Sequence, residues 1–214
     1  MPATPLPSFR PRAAPLKRPV YLVVALLLVW VVGLFGATEG CQTIDVLHRP
    51  EAVRKENSRS TMDGEMVRRR EALIDTVLAF RKTVTPLAVG QLLLGSVLTL
   101  SAGLTLLGRG QARKLAAQAI VIYALFLPID YLARRPMRAS AIDAIAAGTP
   151  LPGFEVSGSS PDAIDPRVFF WWVYRGALGL QLVILTVGLV AMTRPRVRAF
   201  FGAMGAKRPT GDEP

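Results

Sequence analysis

The stretch Leu106-Leu107-Gly108-Arg109-Gly110-Gln111-Ala112-Arg113-Lys114-Leu115 joins two long apolar runs, residues 83–108 and 115–133, through a connector at 109–114 that holds three positive charges. Apolar runs separated by so short a link form a tight helical hairpin. Arg109, Arg113 and Lys114 at its turn mark the cytoplasmic side under the positive-inside rule.

Two more apolar runs, 19–38 and 168–193, complete a set of four. A hydrocarbon core of about 30 Å needs about 20 helical residues at about 1.5 Å of rise each, and all four runs meet that length. Their concentration explains how a chain with 26 Lys and Arg is still 51% hydrophobic. The expected fold class is therefore an all-α integral membrane protein with four transmembrane helices, N-in/C-in. The first extracytoplasmic loop carries an amphipathic helix and the second a short one.

Around the spans, the segments read as follows. Residues 1–18 contain five prolines and four basic residues, so they form a disordered basic cytoplasmic tail. Pro19 suits the first position of helix 1. Residues 39–82 are polar and nearly charge-balanced. Within them Met66, Leu73, Val77 and Phe80 recur at helical spacing opposite Glu65, Arg68, Asp75 and Lys82, giving an amphipathic helix over about 63–81 with Ser60 and Asp63 as a capping pair. Its apolar face is expected on the membrane surface or on the span ends. Thr85 and Pro86 read as N-cap and first residue of the second span. Residues 134–167 form the second loop, with a helix at 137–147 and then a Pro/Gly/Ser-rich link. Phe169, Phe170, Trp171, Trp172 and Tyr174 resemble an interfacial aromatic belt, and 194–214 is a second basic cytoplasmic tail.

The formal charge of +11 does not imply a nucleic-acid partner, because the basic residues flank the apolar runs. Cytoplasmic segments in this layout hold 12 Lys and Arg against Asp212 and Glu213, whereas the outer loops hold 13 basic and 12 acidic residues. With one cysteine, Cys41, and one histidine, His48, no intrachain disulfide forms and Cys/His metal sites lack ligands. No metal and no cofactor are expected.

Chemical motifs are mostly absent. Gly108-x-Gly110 meets Arg113 where a dinucleotide fingerprint needs a small residue, and it follows a helix. Thr38-Glu39-Gly40-Cys41 resembles a lipoprotein cleavage box loosely, with Thr38 and Glu39 at positions that want small or aliphatic side chains. His48 reads as solvated, and Asp162 and Asp165 as helix-start charges. The chain is thus expected not to be an enzyme.

Two features stand out. Gln91, Gly95, Thr99 and Gly103 fall four apart on the second span, and small residues at that spacing let another helix approach closely; Gly95, Thr99 and Gly103 form the expected helix-packing stripe. Asp130 and Arg175 are the charges embedded in apolar runs. Counting at about 1.5 Å per residue puts Asp130, Arg175 and Gln91 each about 8–9 Å below the outer boundary. Opposite charges at one depth pair more readily than they face lipid, so these three form the expected intramembrane polar site. Pro128, two residues before Asp130, should kink the third span.

Ala, Arg and Pro usage fits a GC-rich bacterial genome, hence the bacterial cytoplasmic (inner) membrane. The expected function is that of a non-enzymatic subunit or accessory of a larger membrane assembly, interacting through its extracytoplasmic loops. The lipid bilayer and a membrane-protein partner or homo-oligomer are the expected contacts. The alternative is a small oligomeric transporter or channel subunit using the intramembrane Asp/Arg site.

Overall fold

The computed structural model describes residues 19–59, 64–108, 110–146 and 166–206. These residues form eight helices and no strand: α1 (Val20–His48), α2 (Pro50–Arg59), α3 (Gly64–Ala79), α4 (Arg81–Leu106), α5 (Gly110–Ala133), α6 (Arg135–Ala146), α7 (Pro166–Thr193) and α8 (Pro195–Ala206). Four of them, α1, α4, α5 and α7, are long and apolar enough to cross a membrane. The tail 1–18, the Ser60/Asp63 capping pair, Arg109, the link after Ala147 with Asp162 and Asp165, and residues 207–214 lie outside the described residues.

The four long helices form a bundle in which α1 packs on α4, α4 on α5, α5 on α7 and α7 back on α1. Their shared interior is apolar, with Leu26 and Val29 of α1, Leu98 of α4, Ile120 of α5 and Leu185 of α7 all but inaccessible. One end of the bundle is the hairpin turn between α4 and α5. There Gly108 takes φ 84°, the left-handed conformation that closes a helix C-terminus, and its N–H donates to the Thr105 carbonyl at 3.0 Å. The other end, the crown, carries α2, α3 and α6.

Helix α1 departs from the expected layout, in which the first span stops at Thr38. It runs on to His48 and ends only where Arg49 leaves the helical region, its N–H donating to the Asp45 carbonyl at 2.8 Å. At about 1.5 Å per residue its 29 residues measure about 44 Å, so it overreaches a core of about 30 Å by about three turns. Polarity ends the span; it does not end the helix. The Thr38–Cys41 stretch is therefore continuous helix, with Cys41 exposed.

Further differences follow the same logic. Pro86 lies inside α4, which begins five residues earlier at Arg81 behind Phe80, and Thr85 Oγ1 bonds back to the Arg81 carbonyl at 2.7 Å instead of capping. Residues 194–206, expected as tail, contain α8, whose Val197, Phe200 and Phe201 are buried in the bundle core at helical spacing. The amphipathic helix of the first loop corresponds to α3, preceded by a separate α2. The apolar face of α3 packs chiefly on α6 and also meets α1, α2 and α4. Ile74 of α3 and Ala141 and Ile142 of α6 supply buried apolar surface there.

Helices α1 and α4 are the most closely paired, through glycines on both. A Cβ at Gly40 would lie 2.6 Å from the Leu92 nitrogen, and one at Gly95 would lie 2.6 Å from the Ala37 nitrogen. Thr99 meets Gly33 in the same way, whereas Gly103 has only the Trp30 ring at 3.8 Å. The stripe on α4 therefore packs inside the chain, against a Gly33, Gly36, Gly40 row on α1.

Candidate functional site

At the crown end a set of charged and polar side chains closes the bundle. Asp130, Arg134 and Arg138 stand four apart and so share one face of an almost continuous α5–α6 helix. Only Arg134 interrupts it, and the helical ladder persists: the Arg134 N–H donates to the Asp130 carbonyl at 3.0 Å and the Arg138 N–H to the Arg134 carbonyl at 2.9 Å. Pro136 does not break the run because it is the second residue of α6, where a missing N–H costs little.

Arg134 is the hub. Its Nε lies 2.7 Å from Asp130 Oδ1, its Nη2 donates to Gln91 Oε1 at 2.6 Å, and its Nη1 donates to Glu39 Oε1 at 3.3 Å. Gln91 Nε2 then donates to Glu39 Oε2 at 2.8 Å, closing a ring of contacts across α1, α4 and α5. Arg138 extends it, with Nη2 3.7 Å from Asp130 Oδ2 and Nη1 donating to the Tyr131 carbonyl at 3.0 Å. The Arg138 guanidinium also lies over the rings of Tyr131 and, on α7, Tyr174, at 4.8 and 5.3 Å. One network thus ties all four long helices to α6.

Burial decides what this network costs and does. Asp130 is 5% exposed and Arg134 3%. Two carboxylates face two guanidiniums, so the group is neutral as a whole, and the amide of Gln91 bridges where a lone charge would otherwise lack a partner. Burial lowers the Arg138 guanidinium pKa from its ordinary value, and the Asp130 carboxylate opposes that shift.

Of the three residues expected to meet, Asp130 and Gln91 do so through Arg134. Arg175 does not join them: it is exposed on α7, and the cations at Asp130 are Arg134 and Arg138. The reason is helical phase. Tyr174 is the α7 residue turned toward Arg138, and the next residue points about 100° away from it. Arg134 reads in the sequence as a stop signal and Glu39 as the first loop residue, although the 130/134/138 spacing was visible and Glu39 falls about 29 Å along α1 from Val20. His48 is exposed at the end of α1. Among the described residues, no three His, Cys, Asp or Glu side chains gather where they could hold a metal ion.

Glu39 has a second exposure. While its oxygens bond inward, its side chain is 54% exposed toward a cleft of about 590 Å³ between the far half of α1, α2 and α3.

No protein-family model, curated protein or solved structure matches this chain.

Proposed function

We propose that this is a non-enzymatic multi-pass protein of the bacterial inner membrane, a subunit or accessory of a larger membrane assembly that engages its partner through the crown. The observation that carries this reading is the buried network. It joins a folded crown to the spans through α1, α4, α5 and α7, at the energetic expense of burying Asp130 and Arg134. Such a coupling suits a surface that must keep a fixed attitude to the bilayer. The basic residues Arg113, Lys114, Arg194, Arg196 and Arg198, all at the turn end, support an extracytoplasmic crown.

Native affinity purification from membranes in mild detergent, followed by mass spectrometry, tests it. We expect a membrane protein to co-purify, and its recovery to fall at least about tenfold when the exposed crown residues Glu71 and Ser140 are both changed to Arg, equivalent to about 1.4 kcal/mol of interface. A chain that purifies alone as a monomer would refute this reading.

A small oligomeric transporter or channel subunit is the second reading, favoured by the depth at which Asp130 and Arg134 are buried. Below them, however, Leu26, Leu98, Ile120 and Leu185 fill the interior, so a polar path would have to run between copies. Proteoliposomes should then conduct under an imposed voltage or a pH gradient; flux at the lipid-only baseline removes this possibility.

A further inference from the structure

The crown cleft is built from one face of each of three helices. Helix α1 contributes Glu39, Asp45 and Val46, helix α2 Val53 and Glu56 at i, i+3, and helix α3 Arg70, Leu73, Ile74 and Val77 at i, i+3, i+4, i+7. Its volume of about 590 Å³ falls within the range of small-molecule sites. Val46, Val53, Leu73, Ile74 and Val77 give it aliphatic walls, and among the described lining residues the ionisable groups are three carboxylates against one guanidinium. In a chain of formal charge +11 such a local acidic excess runs against the composition.

We propose that this cleft binds a small organic cation with an apolar body. The charged end would sit between Asp45 and Glu56, both exposed at the cleft, and the body against Val46, Val53, Leu73 and Val77. Charge complementarity chooses the sign of the ligand and the aliphatic walls choose its body; an anion would face three carboxylates against the single Arg70 among the described lining residues. Glu39 lines the cleft as well. Because that carboxylate also accepts from Arg134 and Gln91, the ligand would touch the same group that holds the crown to the spans. The inference stands whichever side of the membrane the crown faces, and whether or not a protein partner exists.

The test is isothermal titration of the full chain in phosphatidylcholine nanodiscs at low ionic strength with three probes sharing one body: phenethylammonium, phenylalanine and 3-phenylpropionate. We expect saturable one-to-one binding of the cation, weaker binding of the zwitterion and none of the anion. Asp45→Asn combined with Glu56→Gln should weaken the cation at least about tenfold. Both positions are exposed, so the fold should survive. Leu73→Arg, which sets a like charge in the cleft at a partly exposed position and leaves every carboxylate in place, should also abolish binding and serves if the acidic double variant is unstable. No saturable binding of the cation, equal or tighter binding of the zwitterion or anion, or wild-type affinity in a folded variant of either kind would each overturn the proposal.

Discussion

Changing Arg134 to Met should destabilise the purified protein by about 3–5 kcal/mol, the range for removing one partner of a buried ion pair. Met approximates the aliphatic stem of Arg, so packing is largely kept and the loss reports the guanidinium. That group is the nearest cation to Asp130 at 2.7 Å and the donor to both Gln91 and Glu39. Without it Asp130 has Arg138 at 3.7 Å as its ion-pair partner, at a site 5% exposed. Asp130→Asn should cost less, because Arg134 retains Glu39 and Gln91. Combining Arg134→Met with Asp130→Leu should recover part of the loss, since a buried ion pair replaced as a whole by apolar side chains often costs little. Arg175→Gln should be neutral, because Arg175 is exposed. Denaturant unfolding in detergent, followed by tryptophan fluorescence, measures all four. An Arg134→Met protein within about 1 kcal/mol of wild type would deny the network its structural role.

The second large effect is expected from one added methyl group. Gly95→Ala places its Cβ 2.6 Å from the Ala37 nitrogen and 2.8 Å from the Gly33 carbonyl oxygen. Both are backbone atoms on α1, so no rotamer change relieves the clash and the helices must move apart. Overpacking of this kind costs about 1–3 kcal/mol. Gly40→Ala should behave alike, meeting the Leu92 nitrogen at 2.6 Å and the Ala88 carbonyl oxygen at 2.7 Å. Gly103→Ala should be tolerated, because its Cβ would meet only the Trp30 ring at 3.8 Å. Gly179→Ala, with nothing within 4 Å, should be neutral or more stable by up to about 1 kcal/mol through helix propensity. Thermal unfolding midpoints rank the four variants; equal effects at 95 and 103 would mean that α1 and α4 are not in close contact.

The bundle was legible because four apolar runs and a basic turn leave little choice of fold. The α4 stripe was legible too, as a face of small residues, but its partner was hidden. Gly33, Gly36 and Gly40 straddle the point where α1 turns polar, so they do not read as one row until the helix is known to continue past Thr38. The same boundary concealed Glu39. Arg134 and Arg138 were concealed differently, since Arg134-Arg135-Pro136 signals the end of a span, and the four-residue spacing of Asp130, Arg134 and Arg138 counts as one face only because the ladder continues through Arg134. Arg175 misled because depth along a helix says nothing about rotation around it. Phase decided which residues meet.

If α1, α4, α5 and α7 span the bilayer, α2, α3 and α6 lie on one side of the membrane and the α4–α5 turn on the other. Cysteine accessibility in intact bacterial cells tests this directly, using a Cys41→Ser background with single cysteines at Glu71 on α3 or Gln111 at the start of α5, both exposed. A membrane-impermeant maleimide should label the Glu71→Cys protein in intact cells, and the Gln111→Cys protein only after the membrane is opened. Labelling of both in intact cells, or the reverse pattern, would contradict the account.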